Sequence, residues 1–239
     1  MTTCAALIVA AGSGSRFNGE IPKQYYKLGD ETVLRKTITA FLNHPLIDAV
    51  EVVINPAFVD LYLESVEGLD LLPYAGGGAT RQESVLNGLR ALPSYFKESD
   101  PPDFVMIHDA ARPLIQEASI TEAFNALDVN TPVGAIVAQK VVDTVKKSIS
   151  SEDADYALIA ETIDRSSLWL AQTPQAFRFE DILMCHEKAI KEPENVKAMF
   201  TDDASLAERY GIPVKLINNN TENFKITTPE DLERAIKLM

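Results

Sequence analysis

Short, unbroken apolar runs alternate with stretches of helical period along most of the chain. The first run, Leu-Ile-Val-Ala at residues 7–10, is too short for a helix. It also lacks the polar alternation of a half-exposed strand, as a strand buried on both faces would. Residues 32–42 follow, with Val33, Leu34, Ile38, Phe41 and Leu42 spaced to share one face of a helix. The same alternation predicts a strand at 49–54, a helix at 58–66, a strand at 71–74, a helix at 82–92 and a strand at 104–108. Strands of this kind, separated by helices, make a parallel sheet covered on both faces.

After Thr131 the rhythm changes: residues 133–138, 141–147 and 156–162 read as successive strands with little helix between them. The polar, acidic stretch 148–155 reads as an exposed turn, so an extended β-arm is expected at about 139–166. Helices return at 179–190, 204–210 and 229–238, the last with Thr228 as N-cap and Pro229 at its first position. The expected fold is α/β: one Rossmann-like domain over residues 1–239, a mostly parallel sheet with helices on both faces, plus the arm.

Composition narrows the picture. Apolar residues at 46% and charged residues at 24% are ordinary for a globular protein. No apolar run approaches the roughly 20 residues that span a bilayer, and no basic segment precedes residues 5–11, so a cytoplasmic protein is expected. Cys4 and Cys185 lie far apart and form no Cys-x-x-Cys pair, which argues against a disulfide framework or a thiolate metal site. A net charge of −13 argues against nucleic-acid or anionic-membrane binding. Any phosphate site must therefore gather its cations locally.

The first strand runs into Ala-Ala-Gly-Ser-Gly-Ser-Arg at residues 10–16, then Pro22-Lys23-Gln24. Glycines there let backbone N–H groups approach a phosphate closely. The dinucleotide fingerprint fails because Phe17 stands where its third glycine belongs, and no P-loop is present. What remains, Gly12 and Gly14 followed by Arg16 and Lys23, suits transfer chemistry on a polyphosphate; a surface turn with two solvated cations would read the same way. A second glycine loop, residues 76–84, opens a helix, where either an anion or a base edge could sit. His108-Asp109-Ala110-Ala111-Arg112-Pro113 follows a strand, at the sheet end where ligands gather. Asp109 is a candidate for Mg²⁺, directly or through water, or for a substrate hydroxyl. Arg112 could pair with it or reach a phosphate, and His108 reads as a structural strand-end histidine.

Ala10-Ala11-Gly12-x-Gly14-x-Arg16 followed by Pro22-Lys23-Gln24-Tyr25 resembles the signature of sugar-phosphate nucleotidyltransferases. Its spelling is similar to that of the 2-C-methyl-D-erythritol 4-phosphate cytidylyltransferases. Asp143-Thr144, Asp164-Arg165, Gln172-Thr173-Pro174-Gln175, Thr201-Asp202-Asp203 and Asn223-Phe224-Lys225 extend the resemblance over essentially the whole chain. The resemblance implies a homodimer whose arm completes the neighbouring site, CTP and a small phosphorylated polyol as substrates, and Mg²⁺ or another divalent cation. It implies catalytic roles for Arg16, Lys23, Arg165 and Lys225, the first two at the α-phosphate. Ala10, Ala11, Gly12, Gly14, Gly78, Ala79, Ser84, Ala110 and Thr173 would bind the nucleotide. Asp109, Arg112, Thr144, Arg165, Thr201 and Lys225 would bind the acceptor. The family usually carries an acidic residue where Ala79 stands, which leaves that position to backbone contacts.

The implied reaction is in-line attack of the acceptor's phosphate oxygen on the α-phosphorus of CTP. An ionised phosphate needs no general base, in keeping with motifs rich in Arg and Lys. Three rivals share parts of the pattern: a ribitol 5-phosphate cytidylyltransferase, a UTP- or GTP-dependent sugar-1-phosphate enzyme, and a non-catalytic nucleotide-binding regulator. Some relatives carry a fused cyclase domain. With the sequence ending after helix 229–238, only the one activity is expected.

Overall fold

The structure, a computed structural model, describes residues 2–12, 14, 17, 19–96, 101–149 and 157–239. Its first strand, β1 (Cys4–Ala10), is buried along nearly its whole length. A small hairpin follows, β2 (Lys27–Leu28) and β3 (Glu31–Thr32), and leads into helix α1 (Val33–Leu42). Thr32 caps α1, its hydroxyl accepting from Arg35 N, and Val33, Leu34, Thr37, Ile38 and Phe41 form the buried stripe. Next come β4 (Ala49–Ile54), α2 (Val59–Val66), β5 (Ala75–Gly76), α3 (Arg81–Ala91) and β6 (Phe104–Asp109). The second half adds α4 (Glu117–Asn125), β7 (Gly134–Lys140), β8 (Val145–Ile149), β9 (Leu158–Ile163) and β10 (Trp169–Arg178). It closes with α5 (Phe179–Ala189), α6 (Glu194–Lys197), α7 (Asp203–Arg209), β11 (Val214–Asn218) and α8 (Pro229–Lys237).

Seven strands form the main sheet in the order β11-β7-β10-β6-β1-β4-β5. All its pairings are parallel except those of β10, which runs antiparallel to both β6 and β7. One core packs on each face. Ile8, Ile38, Phe41 and Met106 lie in the first, and Leu7, Leu89, Ile107 and Phe177 in the second. The mostly parallel α/β sheet expected from the apolar runs is thus present. Both α7 and α8 begin with capping boxes, Asp202 with Ser205 and Thr228 with Asp231, and Pro229 sits in the first turn of α8. Cys4 and Cys185 are free and buried. Among the described residues, no helix is long and apolar enough to cross a membrane.

Several expectations change. Residues 71–74 are not a strand; pairing with β4 starts only at Ala75 and covers two residues. β7 joins the main sheet through β10 and β11 and does not belong to the arm. Of the strands expected after residue 131, β8 and β9 stand apart from the main sheet as an antiparallel pair of their own, and residues 141–144 precede the first of them. The turn expected at 148–155 falls largely on residues outside those described. The pair is solvated, with Ile149, Leu158 and Ile159 each more than half exposed.

Candidate active site

The carboxyl ends of β1 and β6, the loops after them and the start of α3 enclose a cleft of about 450 Å³. Ala10, Ala11, Gly12, Gly14, Lys23, Gly78, Ala79, Ser84, Asp109, Ala110 and Lys225, all singled out by the sequence motifs, line it together. Arg16 lies outside the described residues.

The glycine loop after β1 owes its shape to Gln24. That buried side chain donates to Ala10 O at 2.6 Å and to Gly12 O at 3.2 Å, tying the loop to the turn Lys23–Tyr25. Gly14 has φ +71°, a left-handed conformation that glycine adopts without strain, so the turn itself calls for glycine there. The second loop packs onto the first, and a Cβ on Gly77 would sit 2.3 Å from Ala11 Cβ. Gly77→Val is therefore expected to destabilise the fold by about 1–3 kcal/mol through overpacking, measurable by denaturant unfolding.

Side chains of α3 fix the second loop. Ser84 Oγ accepts from Gly78 N at 3.0 Å and donates to Thr80 O at 2.9 Å. Glu83 Oε2 accepts from Ala79 N at 2.7 Å, while Thr80 caps the helix by accepting from Glu83 N. Ser84 thus spends its proton on the loop itself and retains acceptor capacity toward the cleft.

Asp109 ends β6 on the cleft floor, where three cations surround it. Lys225 Nζ lies 2.9 Å from Oδ2, Arg112 Nε 3.6 Å from the same oxygen, and Arg81 Nε 3.6 Å from Oδ1. Burial alone would raise its pKa, but Lys225, then Arg81 and Arg112, hold the carboxyl well below the usual range. Against Asp109 and the Asp203 carboxylate that also holds Arg81, these three cations still leave the floor net positive, as a polyphosphate site requires. Lys225 is itself fixed by its backbone neighbours. Ile226 N donates to Ala111 O, and the buried Asn223 side chain donates to Gln172 Oε1 and Thr173 O.

Below Asp109, His108 and Thr173 form a buried chain. The His108 Nε2–H donates to Arg112 O at 3.1 Å, so Nδ1 accepts from the Thr173 hydroxyl at 3.0 Å. That hydroxyl in turn accepts from Asp109 N at 3.1 Å. Burial pushes the His108 pKa down to about 4, keeping the ring neutral. His108 is the structural histidine expected. Thr173 supports the floor from beneath and does not line the cleft.

Other candidates stand elsewhere. Arg112 lies behind Asp109, with Nη1 donating to Asn223 O at 2.7 Å. Thr201 is exposed and borders a small separate depression beside Asp202 and Asp203. Thr144 and Arg165 are exposed near the β8–β9 pair, away from this chain's own cleft, with Arg165 donating to Val142 O. The motifs carried no warning of the parts played by Arg81, Asn55 and Thr227, all of which line the cleft. For Arg81 the local signal was its place directly after an N-capping threonine at a glycine-loop helix start. Its carboxylate partners lie far along the chain.

Asp109 bears on the metal question. Among the described residues no group of three or more His, Cys, Asp and Glu could hold an ion. Engaged by three cations, Asp109 is poorly placed for direct coordination; Mg²⁺ usually enters such sites on the substrate's own phosphates.

A parallel α/β sheet with glycine loops and gathered cations at its strand ends is the architecture of nucleotide-handling proteins. The chain belongs to the family described as IspD: 2-C-methyl-D-erythritol 4-phosphate cytidylyltransferase, whose model matches residues 4–239. It is 43% identical to a bifunctional enzyme IspD/IspF of Paramagnetospirillum magneticum over 98% of its length, and 44% identical to that of Rhodospirillum rubrum over all of it. It covers 56% and 57% of those two proteins, so the chain spans a little over half the length of the curated relatives it matches. Among solved structures, the 2-C-methyl-D-erythritol 4-phosphate cytidylyltransferase of Francisella tularensis is 31% identical, with a TM-score of 0.79 over the full length of both chains. The 4-diphosphocytidyl-2C-methyl-D-erythritol synthase of Anaerococcus prevotii is 28% identical, with the same TM-score over 99% of this chain and 96% of that one.

Proposed function

We propose that this chain transfers the cytidylyl group of CTP to the phosphate of 2-C-methyl-D-erythritol 4-phosphate, in the cytoplasm, releasing pyrophosphate. The carrying observation, in a chain of this family, is the cleft floor where Lys225, Arg81 and Arg112 surround Asp109, facing the glycine loops and Lys23. The acceptor phosphate attacks the α-phosphorus in line, and the bond to the β-phosphate oxygen breaks. Bringing two polyanions together costs about 4 kcal/mol per pair of unit charges at 4 Å and an effective dielectric near 20. Lys23 and Lys225, with Arg16, offset that repulsion and the charge growing on the leaving pyrophosphate. Mg²⁺ held by the triphosphate, touching Asp109 at most through water, would supply further charge neutralisation. Gly78, Ala79 and Ser84 would border the base, with Ala10, Ala11 and Ala110 lining its pocket.

The exposed apolar residues of the β8–β9 pair support its use in a homodimer, with Thr144 and Arg165 reaching the acceptor phosphate in the neighbouring cleft. Thr201 would face the same phosphate from outside. Pyrophosphate release with CTP, Mg²⁺ and this acceptor tests the reaction; faster turnover with ribitol 5-phosphate would overturn the acceptor assignment. An equal mixture of Arg165→Ala and Lys225→Met proteins, each inactive alone, is expected to regain about a quarter of parental activity after subunit exchange, because half the dimers carry one intact site. No recovery in mixed dimers would rule out the shared site.

A further inference from the structure

Behind the cleft floor, a file of polar and charged groups joins three helices. His186 of α5 is fully buried, and its Nε2 donates to Asp203 Oδ1 at 3.1 Å. Asp203 opens α7, is also fully buried, and accepts from Arg81 Nη2 through Oδ2 at 2.8 Å. Arg81 opens α3, and its Nε lies 3.6 Å from Asp109 Oδ1. The other Asp109 oxygen holds Lys225 at 2.9 Å. The file therefore runs from a closed interior site to the lysine that faces the cleft.

Stability alone does not account for Asp203. Burying a carboxylate costs several kcal/mol, and well-packed apolar residues often replace buried ion pairs without loss. His186 Nδ1 has no hydrogen-bond partner, so the file is not fully satisfied at its inner end. Against burial, Arg81 and then His186 hold the Asp203 pKa down to about 2, so the group stays charged. What that charge does is restrain Arg81. Tethered through Nη2, the guanidinium offers Asp109 only its Nε edge, at one oxygen. Untethered, it could close a two-pronged fork on Asp109, the geometry guanidinium and carboxylate prefer. Such a fork would draw the Asp109 carboxylate round toward Arg81, sharing Oδ2 with it and loosening the 2.9 Å contact to Lys225.

We propose that Asp203, steadied by His186, is a positioning residue that restrains Arg81 and so preserves the Asp109–Lys225 pair on the cleft floor. The inference rests on the cytidylyltransferase reading for its kinetic effect. It predicts a particular non-additivity, because Asp203 acts only through Arg81.

The test is a cycle of Asp203→Asn, Arg81→Met and the double variant, read by pyrophosphate release from CTP with Mg²⁺ and the acceptor. Asp203→Asn alone is expected to lower kcat about tenfold while the KM for CTP moves less than about threefold, and to change kcat less than about twofold in the Arg81→Met background. Effects that multiply in the double variant, or parental kcat in Asp203→Asn, would overturn the proposal. Should Asp203→Asn fail to fold by circular dichroism, His186 decides. Glutamine, which keeps a donor, should retain about fivefold more turnover than leucine; equal activity of the two counts against the file. A parent protein that releases no pyrophosphate with any acceptor defeats the functional reading instead. The same cycle is then read as CTP affinity by titration calorimetry, where multiplying effects again overturn the positioning role.

Discussion

Replacing Lys225 with methionine is expected to lower turnover by about two to three orders of magnitude, the cost of removing one preorganised charge at a transition state. The side chain is one-third exposed, opens into the cleft, and pairs with Asp109 at 2.9 Å. Its backbone is held by Ile226 N on Ala111 O and by the Asn223 side chain, so the ammonium is presented with little freedom. Methionine keeps the length and much of the packing while deleting the charge. Asp109 then retains Arg81 and Arg112, so no lone buried carboxylate results and the melting temperature should stay near the parent's. The loss should fall mainly on kcat, since the charge is needed most where the leaving pyrophosphate develops. Turnover within threefold of the parent would reduce Lys225 to a counter-ion for Asp109.

A second large effect concerns stability. Glu51 lies in the middle of β4, is fully buried, and neither carboxyl oxygen has a hydrogen-bond partner among the described residues. Burial pushes its pKa from 4.5 up to about 8. A folded-state pKa above the unfolded value means the native protein holds a proton that the unfolded chain releases. Stability is then greatest below about pH 4.5 and is lost as the pH rises toward about 8. At about 1.4 kcal/mol per pH unit the loss amounts to about 3–5 kcal/mol. Glu51→Leu, similar in volume and without a proton to lose, should gain about that much over the parent near pH 8, with the gap closing at pH 5. Denaturant unfolding at both pH values measures it. A gap that does not change with pH would mean that Glu51 is solvated or paired in the folded protein.

Much of the fold is written locally in the chain. β1 and β6 carry apolar runs and β4 one interrupted only at Glu51, and α1 and α8 announce themselves by capping threonines and an apolar stripe. β10 does not, although it joins the two halves of the sheet. Pro174 interrupts it, and its buried stretch includes Gln172, Thr173 and Gln175, whose polar groups are satisfied largely by distant partners such as Asn219 and Asp202. β11 is short and mostly exposed, so no apolar run marks it. At 71–74 a run of apolar residues reads as a strand, but tertiary pairing begins one residue later.

The site divides in the same way. Glycines and cations adjacent in sequence, from Gly12 to Lys23, are visible because backbone approach and charge are local requirements. Arg81 and Asp203 are not, because neither residue is unusual until the fold sets one against the other. Thr173 and Thr201 show the converse: residues within matching motifs whose geometry gives them supporting or peripheral places.

The contact between the two glycine loops makes Ala11 and Gly77 a single constraint written at two distant places in the chain. Substitutions at either position should be epistatic. A side chain gained at residue 77 loses its closest clash once residue 11 gives one up, so Ala11→Gly should relieve part of the damage done by Gly77→Ala, with Ser84 Oγ at 3.1 Å and Ile54 O at 3.2 Å left to give way. Variant libraries that randomise one loop while freezing the other would miss such pairs.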